Sequence, residues 1–330
     1  MARLVASSAT PSAWTPRRRV LTRASNASAP SSTERTAVVV TGGASGVGYR
    51  LAEEFVERGA RVFIASRDAD RAHRAAESLG ETVVGVRCDV SRADDVEALM
   101  ERVAKETTDA TTVHWVNAAG AVTKNAPLCD VDADEIVSVV GSNLIGPLLC
   151  GRAVMREARK RGKSARFVVW NFGFGAFGAR LSKTAATHKS TKSGLSALTI
   201  AQNDDIERLK RGGVELRCEF HQLSPGLALT PLLLGNDNAN PVSKKIFNAL
   251  AEEPEVIARA LAEGMCDVRE GSTTPVEYLT PFDAVRRMVK ELPNIATSAG
   301  GRHFDSKGER VRRSLDARYD ADGVELLPFE

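Results

Sequence analysis

The sequence has few residues that could form disulfides or bind metal ions. It contains five cysteines and five histidines among 330 residues, and no two cysteines form a Cys-x-x-Cys pair. Scattered cysteines of this kind predict reduced, mostly buried thiols in a reducing compartment. The histidines follow no ligand spacing either, so we expect neither a disulfide framework nor a metal site.

Long hydrophobic runs and a large net charge are also missing. No uninterrupted apolar stretch approaches the ~18 residues that a membrane span requires, so we predict no transmembrane helix. The net charge is +3, and five of the 45 basic residues lie in the first 33 positions. The rest of the chain is therefore close to neutral, which gives no reason to expect nucleic acid as a partner.

Acidic residues are absent from the first 33 positions, which are rich in Ser, Ala, Thr and Arg. This composition is typical of a transit peptide that is removed after import into a chloroplast or mitochondrion. We predict such a segment over residues 1–34, and a disordered cytosolic tail of the same composition is the alternative.

The chain does contain a glycine-rich loop in an informative position. The loop lies between an apolar β-branched run, Ala37–Val40, and an amphipathic segment, Tyr49–Val56. A strand, a glycine loop and a helix in this order predict a dinucleotide site, because the glycines let the backbone approach a pyrophosphate and the helix N-terminus attracts anions. The predicted contacts come from the loop Thr41-Gly42-Gly43-Ala44-Ser45-Gly46-Val47-Gly48, chiefly Thr41, Gly42, Ser45, Gly46, Val47 and Gly48.

Apolar strands and helical segments alternate after this loop. Repeated βαβ units predict an α/β fold, a doubly wound (Rossmann) parallel sheet with helices on both faces. We assign this domain to residues 35–305, with a C-terminal helical lid over about 231–292 and a polar tail over 306–330. The predicted strands are Ala37–Val40, Arg61–Ala65, Thr82–Val86, Val113–Val116, Phe167–Trp170 and Val214–Phe220, and the predicted helices include Asp68–Leu79, Ala93–Lys105 and Thr187–Leu209.

The end of the second strand predicts which cofactor is bound. An acid at this position favours NAD, whereas an arginine accommodates a 2′-phosphate. The sequence here is Ser66-Arg67, about 20 residues beyond the loop, and a guanidinium suits phosphate, so we predict NADPH. The alternative is a solvated arginine at a helix start that Asp68 or Asp70 caps.

Further motifs follow in an order that resembles the short-chain dehydrogenase/reductase family. The resemblance covers Ala37 to Thr230. It implies that Asp89 and Val90 meet the adenine, that Asn117, Ala118 and Ala119 support the sheet and line the cofactor, that Asn143 belongs to a proton relay, and that Pro225, Gly226 and Thr230 close over the nicotinamide. The motifs are Cys88-Asp89-Val90, Asn117-Ala118-Ala119-Gly120, Ser142-Asn143-Leu144, Ser224-Pro225-Gly226 and Thr230.

The sequence departs from this family at the catalytic position. The family places a tyrosine four residues before a lysine, and here Lys192 is preceded by His188. The resemblance implies that Lys192 binds the ribose. Three hypotheses stay open: His188 donates the proton, although the charge of Lys192 disfavours its protonated form; water or a substrate group donates it; or catalysis is lost. The family's serine has no clear counterpart over residues 173–176, and Ser182 is the nearest later hydroxyl.

The C-terminal half resembles the plastid chlorophyll b reductase branch of the family. This implies NADPH-dependent reduction of the C7 formyl group of chlorophyll b or chlorophyllide b to 7-hydroxymethyl chlorophyll a, in the chloroplast stroma or peripherally at the thylakoid. It also implies a tetrapyrrole substrate, a membrane-anchored homologous reductase and antenna complexes as partners, and a homo-oligomer. The matching segments are His221–Leu234, Lys245–Asn248, Pro254–Ala258 and Tyr278–Pro281.

Two alternatives to this function remain, a short-chain reductase for another bulky carbonyl and a non-catalytic partner subunit that kept the nucleotide fold. The lid supplies apolar residues that either form a tetrapyrrole-binding surface or only pack the lid helices onto the domain. These residues are Leu232–Leu234, Ile246, Phe247, Leu250, Ile257 and Leu261.

Overall fold

The computed structural model describes residues 35–174, 185–234, 241–297 and 301–311. Its strands alternate with helices along the chain, as the sequence predicts. The strands are β1 (Thr36–Thr41), β2 (Arg61–Ser66), β3 (Val83–Arg87), β4 (Thr112–Asn117), β5 (Arg166–Phe172), β6 (Arg217–Ser224), β7 (Leu227–Ala228), β8 (Ala251–Glu252) and β9 (Val276–Glu277).

The helices begin and end close to the predicted segments. They are α1 (Gly46–Glu57), α2 (Ala69–Leu79), α3 (Ala93–Glu106), α4 (Ala133–Val140), α5 (Gly146–Arg161), α6 (Ala186–Arg211), α7 (Pro231–Leu234), α8 (Pro241–Leu250), α9 (Pro254–Cys266) and α10 (Pro281–Thr297), with a 3₁₀ turn at Leu128–Asp130 and a π-helical turn at Gly141–Ile145.

Seven parallel strands form one sheet in the order β3-β2-β1-β4-β5-β6-β9. The order reverses between β1 and β4, and this is the place where doubly wound sheets bind ligands, outside the carboxyl ends of the strands. The predicted fold class is therefore confirmed.

The sixth strand lies later in the chain than predicted. Val214 closes the last turn of α6, because its amide donates to the carbonyl of Leu209 over 3.0 Å. The strand instead continues through the polar residues His221 and Gln222, and the His221 ring stacks on Trp170 with 4.6 Å between ring centroids. Hydrophobicity alone could not predict this extension.

Two apolar layers cover the sheet. One layer packs α1 and α9 against Val38, Val40 and Ile64, and the other packs α3, α5 and α6 against Val39, Val113 and related strand residues. Alternate residues of β1 face opposite layers, as strand geometry requires.

Helix α9 belongs to the domain core. Ile257 and Leu261 are fully buried in the layer that contains Leu51 and Phe55 of α1. Phe247 and Leu250 are also buried, so packing accounts for most of the apolar lid residues. Leu232 and Ile246 are exposed, and Leu233 and Leu234 are half-buried.

One helical run among the described residues, 133–161, is long and apolar enough by length and composition to cross a membrane. Half of its most apolar window is buried inside the fold. A core helix of a soluble domain passes the same test, so this run is weak evidence for a span.

The described chain ends in a small turn that packs on α8. Asn248 accepts hydrogen bonds from the amides of His303 and Phe304 at 2.8 and 2.7 Å, and Phe304 forms a bridge with Arg310. The predicted start of the polar tail at residue 306 falls inside this turn. The rest of the predicted tail, 312–330, and the predicted transit segment, 1–34, lie outside the described residues.

Most of the cysteines are buried, as predicted. All five are free, with Cys88, Cys150 and Cys218 buried and Cys129 and Cys266 exposed. No group of three or more potential metal ligands occurs in the described part of the chain.

The position of α9 in the core predicts unequal effects of two adjacent substitutions. Ile257→Ala should lower the free energy of unfolding by about 2–5 kcal/mol because it leaves a cavity against α1. Val256→Ala, at a position that is 46% exposed, should change it by less than about 0.5 kcal/mol. Urea denaturation measures both, and equal effects would contradict the assignment of α9 to the core.

Candidate active site

The glycine loop lies directly against the end of β4. Gly42 has φ +68°, and a Cβ there would lie 2.6 Å from the Ala119 Cα. A Cβ at Gly48 would lie 2.6 Å from the Gly42 carbonyl oxygen. Both positions therefore require glycine, which lets the backbone of the loop pack directly against the end of β4.

The side chains flanking this loop hold it in place. Thr41 is buried; its hydroxyl donates to the Val116 carbonyl at 3.2 Å and accepts from the Ala119 amide at 3.4 Å. Val47, in the first turn of α1, is buried in the core layer on this side of the sheet. Thr41 and Val47 therefore hold the loop from the side that faces the core.

The N-terminus of α1 has the features of an anion-binding site. The helix begins at Gly46, has no acid in its first turn, and receives no side-chain cap from Ser45. Helices α2, α3 and α4 carry acids in their first turns, whereas α5 and α6 do not. The positive end of the α1 dipole is thus left without a negative side chain beside the glycine loop.

Arg67 lies at the end of β2 and is exposed. Asp68 caps α2 by accepting a hydrogen bond from the Arg71 amide at 3.0 Å, as the alternative interpretation of this segment predicts. The Ser66 hydroxyl accepts from the Asp68 amide at 3.3 Å. The Asp68 carboxylate is therefore used in the helix cap, and the cap does not involve the Arg67 guanidinium.

Asp89 follows β3 on the same side. Burial alone would raise the pKa of its carboxyl, but hydrogen bonds from Ser91 and the charges of Arg67 and Arg92 hold it below the ordinary value. Arg67 is therefore close enough to act on Asp89. Val90 is buried against Gly146, where a Cβ would lie 2.7 Å from the valine side chain.

The Asn117 side chain is part of a buried hydrogen-bond network that supports the sheet. Its side chain is buried, accepts from the Trp115 indole at 3.1 Å, and donates to Asn171 at 2.9 Å. Asn171 in turn donates to Thr199 and Gln202 of α6. The predicted sheet-supporting role fits this network, and the next residues, Ala118 and Ala119, contact the glycine loop.

Asn143 lies in the π-helical turn between α4 and α5. Its side-chain oxygen accepts from the Ala121 amide at 2.8 Å, and its nitrogen donates to the Ala121 carbonyl at 2.9 Å and to the Thr191 hydroxyl at 3.1 Å. Single π turns often occur at functional sites, and this one fixes the chain after β4 to helix α6.

The Lys192 ammonium lies between the ends of β4 and β5. It donates to the Phe172 carbonyl at 2.9 Å, and burial lowers the pKa of this lysine to about 8. A Cβ at Gly120 would lie 3.3 Å from the Lys192 nitrogen and 3.2 Å from the Asn143 oxygen. Asn143 and Lys192 therefore border the same small space.

His188 occupies the position one turn before Lys192. Its Nδ1 lies 3.4 Å from the Ala121 carbonyl oxygen, and the ring meets Phe174 edge-on at 5.5 Å. Burial, followed by the charge of Lys192, lowers the pKa of His188 to about 4. The imidazole is thus neutral near pH 7, and because a carbonyl only accepts, the contact with Ala121 favours the tautomer that carries the proton on Nδ1.

The loop after β6 approaches the glycine loop. A Cβ on Gly46 would lie 3.2 Å from a methyl carbon of Thr230. Gly226 has φ +69°, and a Cβ there would lie 3.0 Å from the Leu279 side chain, while Pro225 is half-buried. The predicted closing loop and the predicted phosphate site are therefore neighbours.

Several site residues carry no recognisable sequence signal. The backbone of Ala121 binds both Asn143 and His188, and the Phe172 carbonyl binds Lys192. Buried Thr191 is adjacent to Lys192 in the chain, but a threonine there matches no motif. Ser182, the predicted nearest hydroxyl, lies outside the described residues.

Comparisons with known proteins identify the family of the chain. A family model described as short chain dehydrogenase matches residues 36–231. The probable chlorophyll(ide) b reductase NYC1, chloroplastic, of Oryza sativa subsp. japonica is 32% identical over 83% of this chain and 55% of its own length. The chlorophyll(ide) b reductase NOL, chloroplastic, of Arabidopsis thaliana is 27% identical over 79% of this chain and 74% of its own.

The chain thus spans about half the length of the first of these relatives. Among solved structures, 3-ketoacyl-(acyl-carrier-protein) reductase from Brucella melitensis, complexed with NADH, superimposes with a TM-score of 0.59 at 25% identity. The superposition covers 74% of this chain and 98% of the other. The family model covers more than half of the chain and runs from β1 through the glycine loop and Lys192 to the loop after β6, so the chain belongs to the short-chain dehydrogenase family.

Proposed function

We propose that the protein is an NADPH-dependent reductase of the C7 formyl group of chlorophyll b or chlorophyllide b, with 7-hydroxymethyl chlorophyll a or its chlorophyllide as product. The observation that carries the proposal is the meeting of Asn143, His188 and Lys192 beside the glycine loop at one edge of the sheet. The pigment is inferred from the relatives, which are named chlorophyll(ide) b reductases.

The residues present fit a dinucleotide. Gly42 and Gly48 let the loop pack directly on the sheet edge, and the lack of an acid at the start of α1 leaves the positive end of that helix available to a pyrophosphate. Arg67 offers a guanidinium where a 2′-phosphate would be bound, which supports NADPH over NADH. When bound, NADPH supplies the hydride for the formyl carbon.

The state of His188 bears on the source of the proton. A neutral imidazole with its proton on Nδ1 presents only an acceptor at Nε2, which cannot donate to a carbonyl oxygen. The Lys192 ammonium is protonated below a pH of about 8 and borders the same space as Asn143. In this proposal Lys192 therefore holds the proton that the substrate oxygen needs. Nε2 of His188 accepts a hydrogen bond from a bound hydroxyl group and orients it.

A non-catalytic partner subunit remains a second candidate, because His188 replaces the family's tyrosine. The glycine loop, Arg67 and the Asn143–Lys192 arrangement favour the enzyme, since a subunit without catalysis would not require them together. A reductase for another bulky carbonyl would use the same residues.

We infer a chloroplast location from the composition of residues 1–34 and from the relatives, which are named chloroplastic. Stromal and thylakoid-peripheral positions are both consistent with this proposal. A membrane-anchored homologous reductase, antenna complexes and a second copy of the chain remain proposed partners.

The proposal is tested with a chain that begins at residue 35, incubated with NADPH and chlorophyllide b, followed by chromatography of the pigments. We expect the 7-hydroxymethyl product, and Lys192→Ala should abolish it because the variant loses both the ammonium and its bond to Phe172. Lys189→Ala on the same helix is the matched control and should keep activity. If NADPH binds and no product forms, the protein is a non-catalytic partner or acts on another carbonyl.

The cofactor preference is tested at Arg67. Arg67→Ala should weaken NADPH binding about tenfold to a hundredfold, the value of one charge-assisted interaction with phosphate, and should leave NADH binding nearly unchanged. Arg74→Ala removes an exposed arginine from α2 and should affect neither cofactor. Fluorescence titration measures the affinities of native protein and both variants for each cofactor, and equal losses for both cofactors in Arg67→Ala would contradict a 2′-phosphate site at Arg67.

The proton source predicts a pH dependence. In the reductive direction the rate should fall as the pH rises through about 8, because Lys192 loses its proton there. Lys192→Arg keeps a positive charge that does not titrate in this range, so its residual activity should show no such fall. A native rate that instead falls between pH 4 and 6.5 would assign the proton to His188.

A further inference from the structure

A short second sheet holds the loop after β6, residues 225–230, which we call the closing loop. Its strands β7 and β8 have two residues each, and Leu227 pairs with Ala251 while Ala228 pairs with Glu252. The buried Leu229 then donates its amide to the Glu252 carbonyl over 3.0 Å. A pairing of two residues is weak alone, so the position of the closing loop depends on what holds β8.

Three other segments of the chain meet the side chain of Glu252. One carboxylate oxygen accepts from the Tyr278 hydroxyl and from the Arg302 guanidinium, each over 2.9 Å. Arg287 of α10 lies 3.9 Å from the same oxygen and donates to the Tyr278 hydroxyl over 3.3 Å. Glu252 is only 5% exposed, and a buried carboxylate is stable only with such partners, so they fix the place of β8.

Tyr278 connects this carboxylate to the start of the closing loop. Its amide donates to the Ser224 carbonyl at the end of β6 over 2.9 Å. A Cβ on Gly226 would lie 3.8 Å from a carbon of the Tyr278 ring. Glu252 therefore holds the closing loop at both ends, through Tyr278 at the start and through its own carbonyl oxygen near the end.

Arg302 connects the same carboxylate to the small turn that packs on α8. Its guanidinium also donates to the Ala251 carbonyl of β8, and Nε2 of the next residue, His303, lies 3.0 Å from that carbonyl oxygen. The carboxylate and both of its hydrogen-bond donors lie beyond residue 231, where the match to the family model ends. The family model therefore assigns no role to this network.

We propose that Glu252 is a positioning residue for the nicotinamide half of the cofactor and that it acts by fixing the closing loop. This inference rests on the cofactor site of the proposed function, in which the closing loop lies over the nicotinamide. Thr230, at the end of the loop, has a methyl carbon only 3.2 Å from where a Cβ on Gly46 would lie. Because Glu252 is buried, it acts through the backbone of the loop and not by touching a ligand.

Two ligands separate the two halves of the cofactor site. NADPH spans both halves, whereas adenosine 2′,5′-bisphosphate has the adenosine and its phosphates but no nicotinamide. Glu252→Gln removes the negative charge that Arg302 and Arg287 face, so the closing loop should be held less firmly. Isothermal titration calorimetry should show NADPH binding weakened at least fivefold, and binding of the bisphosphate within about twofold of that of native protein.

Tyr278→Phe is a milder change to the same network, because it removes one hydroxyl and keeps the ring. It should weaken NADPH binding about twofold to fivefold and leave the bisphosphate affinity unchanged. This variant tests the proposal even if the loss of a buried charge prevents Glu252→Gln from folding.

Glu219→Gln is the matched control. Glu219 is 6% exposed and accepts from the Arg166 guanidinium over 2.8 Å and from the Gly271 amide over 2.7 Å. It lies in the first half of β6, away from the closing loop. The same loss of a buried, paired carboxylate should lower stability there and leave both ligand affinities within about twofold.

Hydrogen exchange without any ligand measures the closing loop itself. The Leu229 amide donates to Glu252, so it should exchange at least fivefold faster in Glu252→Gln than in native protein. In Glu219→Gln the rate at Leu229 should be unchanged.

The proposal is overturned if Glu252→Gln and Tyr278→Phe bind NADPH within about twofold of native protein. It is also overturned if they lose affinity for both ligands equally, since the carboxylate would then only stabilise the fold. Native protein that does not bind NADPH would overturn the proposed cofactor site and this inference with it, whereas unchanged variants of a native protein that binds NADPH overturn the inference alone.

Discussion

The two hydrogen bonds between the Asn143 amide and the backbone of Ala121 connect the parts of the site. They fix the segment after β4 to the π turn, and through Thr191 they connect both to α6. Helix α6 carries His188 and Lys192, and the segment after β4 lies against the glycine loop. The position of the proton-handling groups relative to the nucleotide cradle therefore depends on one buried amide.

The same arrangement explains why a histidine behaves differently from a tyrosine at this position. A phenol has one oxygen that both donates and accepts, so it can face a substrate with its proton available. An imidazole divides these roles between two nitrogens, and here the Ala121 carbonyl lies beside Nδ1 and favours that nitrogen as the donor. The buried ammonium of Lys192 then becomes the nearby group with a proton to give near neutral pH.

Much of the fold was predictable because its signals are local. The doubly wound parallel sheet follows from βαβ repetition, and Gly42 and Gly48 mark a loop that leaves no room for a Cβ. The Ala121 and Phe172 carbonyls could not be predicted, since any residue supplies a carbonyl. Helix α9 was assigned to a lid because its apolar spacing fits either a ligand surface or a core, and only its contact with α1 decides between them.

The most direct test of the account is the fate of the hydride. The protein would be supplied with chlorophyllide b and NADPH that carries deuterium at the transferred position, and the product would be analysed by mass spectrometry and NMR. The account predicts one deuterium at the carbon of the new hydroxymethyl group, in native protein and not in Lys192→Ala. A hydroxymethyl product without deuterium, or no product from protein that binds NADPH, would contradict it.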